Sequence, residues 1–190
     1  PEKFHAWDID RPALCMGQVC QKPVTIQPIA EAPHRQGFSV TREIGEHSQA
    51  RIDYLLEAGS PYLHVEITLD WNEQETLLKW MLPTAYSGKD ARFGSPYGSV
   101  LRPQIPNGMQ SEAMWEVPFS RYFAVFDDGE SDGLFLVTRD KYGASVREGT
   151  MGLSLIRSAI ITGMDRPNNP IWPDSIARKK PGSRFSDQGT

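Results

Sequence analysis

The sequence predicts an all-β protein, an antiparallel β-sandwich. Apolar and polar residues alternate over many short segments, which is typical of strands with one buried face. Gly- and Pro-containing turns such as Gly59-Ser60-Pro61 separate these segments. No segment of three turns or more repeats its apolar residues at the helical period. Many strands at close spacing favour two packed sheets.

The first three predicted strands form an antiparallel meander, covering residues 38–44, 50–56 and 63–71. In the third strand Leu63, Val65 and Ile67 point to one face, while His64 and Glu66 point to the other. We therefore expect His64 to face solvent rather than to bind a metal.

The remaining predicted strands are shorter. They cover residues 77–82 (ended by Pro83), 99–102, 115–117, 122–126, 133–138 and 151–156. Asp127-Asp128-Gly129 reads as a turn, and residues 140–149 as a connection. The domain organisation that follows is an entry segment or linker at 1–22, a β-sandwich at 23–158 and a long loop at 159–190 that stops before a closing strand.

Composition excludes several function classes. The net charge of −4 and pI of about 5.6 give no basic face for nucleic acid. No apolar run reaches the ~18–20 residues that span a bilayer, so we predict no membrane partner.

The start at Pro1 shows no signal-peptide pattern and no initiator Met, which suggests an excised fragment. A disulfide between Cys15 and Cys20 would close a very short loop. We predict reduced thiols, which fits a cytoplasmic location.

The sequence shows no complete catalytic or metal-binding motif. The four histidines form no HExxH, HxH or His/Cys cluster, and neither GxSxG nor a phosphate-binding loop occurs. Asp70 and Glu73 lie at the end of a strand. They are interpreted either as a strand-end cap or as structural carboxylates that contact a neighbouring domain. The loop after Arg157 carries residue types that suit a saccharide, although an ordinary polar loop fits equally: Asp165, Arg166, Trp172 and Asp174.

Several ordered segments together resemble the C-terminal β-domain of the glycoside hydrolase family 38 α-mannosidases. They span most of the chain, in this order: Ala6-Trp7-Asp8-Ile9-Asp10; Arg42, Gly45 and Ser48; Asp70-Trp71-Asn72-Glu73 with Leu77-Leu78-Lys79; Tyr97-Gly98, Val100 and Arg102-Pro103; Trp115-Glu116-Val117-Pro118 with Arg121-Tyr122; Asp140-Lys141-Tyr142-Gly143; Leu153-Ser154-Leu155-Ile156-Arg157-Ser158; and Pro173-Asp174 with Asp187 and Gly189.

The resemblance implies a supersandwich of galactose-mutarotase-like type. It also implies a longer enzyme whose N-terminal barrel holds zinc and an Asp nucleophile and hydrolyses mannosides with retention. This fragment would then hold no catalytic residue, metal or cofactor and would be inactive alone. Its loop would face the sugar site, with Arg157, Asp165, Arg166, Trp172 and Asp174 as contacts to substrate or barrel. Structural roles fall to Asp70, Trp71, Glu73, Arg102, Asp140, Lys141 and Tyr142, with Asp140 and Arg157 forming ion pairs at the loop base.

Two other functions stay open. A free-standing carbohydrate-binding module needs exposed aromatic rings, for which Trp7, Trp115 and Trp172 are the candidates, although core packing is the favoured interpretation of Trp115. A mutarotase-like enzyme needs a His acid and a carboxylate base in one cleft, which the histidines do not suggest. A homo-oligomer is also considered. A domain that docks on a barrel should expose a large apolar patch.

Overall fold

The computed structural model describes Ile9 and residues 17–158, which contain twelve strands and one short helix. These residues fall into two compact units. We call residues 18–74 the meander unit and residues 75–158, with Ile9 and Gly17, the sandwich unit. The predicted segments 1–22 and 159–190 lie largely or wholly outside the described residues, so the predicted domain boundaries stay predictions. No helix in the described part has the length and apolar character needed to cross a membrane.

The meander unit is a four-stranded antiparallel sheet in the order β1-β2-β3-β4. Its strands are β1 (Val24–Ala32), β2 (Arg35–Ile44), β3 (Ser48–Glu57) and β4 (Leu63–Asp70). The predicted three-strand meander is confirmed as β2, β3 and β4, and the predicted alternation of exposure along β4 is present. His64 is exposed in the middle of β4.

Strand β1 is absent from the sequence prediction, because Pro28 interrupts its apolar pattern. Proline lacks the N–H group that a central strand needs, but an edge strand tolerates it. In the structure β1 is an edge strand, and Pro28 pairs with Phe38 of β2. A register shift between Ala30 and Ala32 further disrupts this edge.

The sandwich unit holds two four-stranded sheets, in the orders β10-β9-β6-β7 and β5-β12-β11-β8. Its elements are β5 (Leu77–Pro83), β6 (Asp90–Ser95), β7 (Gly98–Pro103), α1 (Met109–Ala113), β8 (Val117–Pro118), β9 (Tyr122–Phe126), β10 (Gly133–Val137), β11 (Gly143–Arg147) and β12 (Thr150–Arg157). Their neighbouring strands pair antiparallel.

Both sheets of this unit contribute to one hydrophobic core. Phe93, Phe123 and Val125 come from the first sheet, and Met151 and Leu153 come from the second. The rings of Phe93 and Phe123 stack with centroids 5.9 Å apart. This stack lies within the first sheet, and the core that it shares with residues of the second sheet is typical of a β-sandwich. The predicted all-β fold with antiparallel, sandwiched sheets is confirmed.

Two strands of the sandwich unit were missed by sequence reasoning, and the reason is the same for both. In β6 the core-facing positions are Ala91 and Phe93, and in β11 they are Ala144 and Val146. One of the two core residues in each strand is an alanine, so the apolar alternation is too weak to detect. The predicted strand at 115–117 is also shorter than expected, because only Val117 and Pro118 are assigned to it.

Candidate functional site

Four polar side chains, from three adjacent strands and the residue before the fourth, lie together on one face of the second sheet. We call Lys79, Glu116, Ser145 and Ser154 the sheet cluster. Lys79 lies in β5, Ser154 in β12 and Ser145 in β11, while Glu116 directly precedes β8. Their immediate neighbours in the strands point into the core, so the sheet cluster lies on the opposite, outer face.

The sheet cluster is organised around an ion pair between Lys79 and Glu116. The Lys79 ammonium donates hydrogen bonds to Glu116 Oε2 and, at 2.6 Å, to Ser145 Oγ. Ser154 Oγ donates to the other carboxylate oxygen, Glu116 Oε1. The side chains of Lys79 and Glu116 are only 20% and 13% exposed, so water screens the pair weakly.

Two glycines allow these side chains to lie flat on the sheet. A Cβ atom on Gly152 would lie 2.7 Å from Ser145 Oγ and 3.0 Å from Lys79 Cε. A Cβ atom on Gly143 would lie 3.2 Å from Glu116 Oε1. Lys79 therefore crosses over Gly152, and Glu116 crosses over Gly143. The ion pair joins β5 to the chain entering β8, and the hydrogen bonds of Ser145 and Ser154 connect it to β11 and β12.

A second polar network lies in the meander unit, where residues 70–73 fold back on the β2–β3 turn. We call Glu46, His47, Ser48, Asn72 and Glu73 the hairpin cluster. Glu73 Oε1 accepts hydrogen bonds from the backbone N–H groups of Glu46 (3.0 Å) and His47 (2.8 Å) and from Ser48 Oγ (2.9 Å). The His47 N–H is the largest cause that lowers the pKa of the Glu73 carboxyl, because it stabilises the ionised form.

Asn72 and Gly45 complete this network. The Asn72 N–H donates to Ser48 Oγ at 2.8 Å, and its side-chain amide donates to the His47 carbonyl and to Asp70 Oδ1. Gly45 has φ of 59°, and a Cβ atom there would lie 2.3 Å from the Glu73 carboxyl carbon. Only glycine combines this backbone conformation with so close an approach. Asn72 and Glu73 therefore hold the β2–β3 turn in position, and Asp70 bonds to Asn72.

The other predicted structural residues occupy separate positions in the sandwich unit. Arg102, in β7, places a guanidinium nitrogen 2.8 Å from Met114 Sδ and its guanidinium carbon 5.9 Å from the centre of the Phe93 ring. Tyr142 is exposed, and its carbonyl accepts from the Phe119 N–H. The Trp115 indole donates to the Ile9 carbonyl at 2.9 Å, so this ring is engaged within the unit.

Asp140 pairs with the residue beside it. Its carboxylate lies 3.2 Å from Lys141 Nζ and accepts from Thr138 Oγ1. Partial burial raises the pKa of Asp140, but the hydrogen bond and charge of Lys141 together with the hydrogen bonds from Thr138 and the backbone outweigh burial, and the pKa is lowered overall. Arg157 is partly buried in β12 opposite Leu77. The predicted loop residues Asp165, Arg166, Trp172 and Asp174 lie outside the described residues, as do Trp7 and Cys15.

The described residues offer no ligand set for a metal ion. In Ile9 and residues 17–158, no three His, Cys, Asp or Glu side chains are grouped closely enough to hold one. Zinc therefore does not fit this part of the chain. Cys20 carries a free thiol in the meander unit, close to the Glu43 carbonyl.

Sequence reasoning missed the sheet cluster although it named every segment that forms it except the one with Ser145. Lys79 and Glu116 are 37 residues apart, so no local pattern joins them. One sequence signal for this cluster is a glycine two positions before a serine on the same strand, as in Gly143 with Ser145 and Gly152 with Ser154. Six residues of the two clusters lie in segments that carry the family resemblance: Ser48, Asn72, Glu73, Lys79, Glu116 and Ser154.

The comparison with known families decides the identity. The family model described as glycosyl hydrolases family 38 C-terminal domain matches residues 1–168. The chain belongs to this family. All the hydrogen bonds of the sheet cluster and the hairpin cluster therefore lie within the part of the chain that matches the glycosyl hydrolase family 38 C-terminal domain.

Three relatives show the same relationship. The chain is 32% identical to alpha-mannosidase 2C1 of Mus musculus over 160 residues and 30% identical to alpha-mannosidase 2C1 of Homo sapiens over 159 residues. Each alignment covers 83% of this chain and 15% of the relative. Alpha-mannosidase G of Dictyostelium discoideum is 32% identical over 122 residues, which cover 63% of this chain and 10% of the relative. The chain thus spans about 15% of the length of its two mammalian relatives.

Proposed function

We propose that this chain is the supporting C-terminal β-domain of a longer cytoplasmic α-mannosidase, and that it takes part in mannose metabolism by holding the catalytic barrel and one side of its sugar site in place. The observation that carries the proposal is how its polar motif residues are used. Lys79, Glu116 and Glu73 form hydrogen bonds within their own sheets. Side chains engaged in this way hold backbone in position rather than transfer protons to a substrate.

The contribution of such a domain to catalysis is preorganisation. A rigid sheet fixes the loops at its ends, and correctly held loops lower the entropic cost of orienting a substrate. In this proposal the segment from Arg157 to Asp174 leaves β12 and reaches the sugar site. Arg157 lies at the end of β12, where it pairs with Leu77 of β5, and β11 pairs with the start of the same strand. The base of that segment is therefore held on a paired strand.

The chemistry that breaks the glycosidic bond belongs, in this proposal, to the part of the polypeptide outside residues 1–190. Retaining hydrolysis needs a carboxylate nucleophile and a second carboxyl group that acts as acid and base. We propose that this nucleophile and a zinc ion lie in an N-terminal barrel of the longer polypeptide, which is what the family resemblance implies. The 190-residue chain alone is then inactive, and its mannoside contacts are made together with the barrel.

The direct test compares hydrolysis of an aryl α-mannoside by the 190-residue chain and by the longer native polypeptide, each with added zinc. We expect hydrolysis only by the longer polypeptide. Hydrolysis by the 190-residue chain at a comparable rate would contradict the placement of the catalytic groups. Tight binding of mannosides by the isolated chain, without any contribution from the longer polypeptide, would favour a carbohydrate-binding module instead.

A matched pair of variants in the longer polypeptide tests the supporting role itself. Lys79→Met breaks the sheet cluster, whereas Lys141→Met removes a more exposed lysine whose ion pair within the described residues is with its neighbour Asp140. A supporting role predicts that Lys79→Met lowers the temperature of inactivation while kcat changes by less than about twofold below that temperature. A loss of kcat with unchanged thermal inactivation would assign Lys79 a direct part in the reaction.

A further inference from the structure

The two faces of the meander unit differ sharply in polarity. One row across the four strands consists of Ile26, Val40, Ile52 and Ile67, which are register partners. The next row along the same face consists of Pro28, Phe38, Tyr54 and Val65. These two rows, together with Leu56 and Leu63, form what we call the apolar face.

The opposite face of the same sheet is mostly polar, although one row on it, Ile29, Gly37, Leu55 and His64, includes the buried Leu55. One row there consists of Thr25, Thr41, Arg51 and Thr68, and the next consists of Gln27, Ser39, Asp53 and Glu66. An antiparallel sheet with one polar and one apolar face is built to have water on the first and packed protein on the second. The contrast therefore marks the apolar face as one that another layer covers.

The described residues leave much of the apolar face exposed. Ile26 is 61% exposed, Leu56 56%, Leu63 52% and Phe38 44%. The Phe38 and Tyr54 rings stack on each other with centroids 4.9 Å apart, which orders the face without covering it. Four strands about 4.8 Å apart, with about five residues of each strand at about 3.3 Å per residue, give an apolar face of about 300 Å². That is comparable to the largest apolar patches on monomers, about 300–600 Å², which are often functional.

We propose that the apolar face is an interdomain docking surface, covered by an apolar layer of the same polypeptide from outside residues 1–190. This inference rests on the proposed function, in which the chain is one domain of a longer enzyme. The size of the relatives supports this occupant, since the matched segment is only 15% of each mammalian chain. A face of this area also suits a contact between domains of one chain, which typically buries about 600–1,500 Å² counted over both partners.

Cysteine labelling tests the docking surface with neighbouring residues as matched controls. Ile26→Cys places a thiol on the apolar face, and Thr25→Cys places one on the polar face of the same strand. Leu63→Cys and His64→Cys form a second pair on β4. Each variant is made in the 190-residue chain and in the longer native polypeptide, and maleimide labelling is followed by peptide-resolved mass spectrometry.

We expect all four cysteines to react rapidly in the 190-residue chain. In the longer polypeptide, Ile26→Cys and Leu63→Cys should react at least about tenfold more slowly, because a covered thiol reacts only when the domains separate, while the two controls keep their rates. Equal rates in both polypeptides would overturn the proposal. So would concentration-dependent protection in the 190-residue chain alone, since the occupant would then be a second copy.

A further variant excludes cover by the end of this chain. Removing residues 159–190 from the 190-residue chain should leave the labelling rates at Ile26→Cys and Leu63→Cys unchanged. An increase would show that these residues are the occupant and would overturn the proposal. The labelling result is independent of hydrolysis: an active enzyme with a freely labelled apolar face refutes the docking surface alone, and a protected face in an inactive polypeptide refutes the proposed function alone.

Discussion

The sandwich unit and the meander unit differ in how far they bury the apolar faces of their sheets. Each consists of antiparallel sheets with one apolar face. In the sandwich unit two such faces meet, and Phe123 and Met151 are 0% exposed. The described residues of the meander unit form a single sheet, and the large residues of its apolar face are half-buried or exposed. One unit therefore holds a closed core of its own, whereas several large residues on the apolar face of the other are left exposed.

The polar clusters divide in the same way. The sheet cluster joins strands that a core already holds, while the hairpin cluster fixes a turn of the sheet that lacks one. Family motifs can therefore mark places where side-chain hydrogen bonds and ion pairs hold the backbone in position. A domain built in this way contributes to an enzyme by keeping other parts in position.

The largest expected difference between the units comes from deleting one phenylalanine in each. Phe123→Ala removes a fully buried ring and should cost about 3–5 kcal/mol of unfolding free energy. Phe38→Ala removes a ring that is already 44% exposed and should cost about 1 kcal/mol. Urea unfolding of the 190-residue chain measures both. Equal losses would show that the meander unit has a core as complete as that of the sandwich unit.

The second expected effect concerns the sheet cluster. Lys79→Met leaves the Glu116 carboxylate without its cation in a mostly buried position, and should cost about 2 kcal/mol. Lys141→Met breaks a more exposed pair and should cost less than about 0.5 kcal/mol. The double variant Lys79→Met with Glu116→Leu should recover part of the loss, because no unpaired charge remains. A double variant less stable than Lys79→Met would contradict this account of the cluster.

The smallest expected effect is a pH dependence in the hairpin cluster. The pKa of Glu73 is lowered from its ordinary value of 4.5, mainly by the His47 N–H. Its contribution to stability is therefore complete well above 4.5 and is lost as the pH falls through the lowered pKa. We expect the stability difference between the native chain and Glu73→Gln to shrink as the pH decreases below about 4.5. Unfolding midpoints measured from neutral to acidic pH test this, and a difference independent of pH would refute it.

Much of the fold follows from the sequence because its period-2 pattern is strong in particular strands. Strands β2, β3, β4 and β9 carry apolar residues at alternate or continuous positions and were predicted. Strand β1 escaped because of Pro28, and β6 and β11 because Ala91 and Ala144 fill core positions with too little apolar character. A small residue satisfies a tightly packed core but leaves little trace in a hydropathy pattern.

The candidate site was less accessible to sequence reasoning. The sequence predicts a strand-end cap or a structural carboxylate around Asp70 and Glu73, and in the structure Glu73 contacts a turn formed by residues about 25 positions earlier. The pairing of Lys79 with Glu116 depends on strand order, which periodicity does not specify. The predicted sugar-facing residues Arg166, Trp172 and Asp174 lie outside the described residues and stay predictions.

Hydrogen exchange of the 190-residue chain tests the central comparison most directly. The account predicts that amides of β9 and β12, which a closed core protects, exchange at least about a hundredfold more slowly than hydrogen-bonded amides of β2 and β3, because the single-layer sheet opens at a lower free-energy cost. Equal protection of the two sets would contradict the account, since the meander unit would then be as self-sufficient as the sandwich unit.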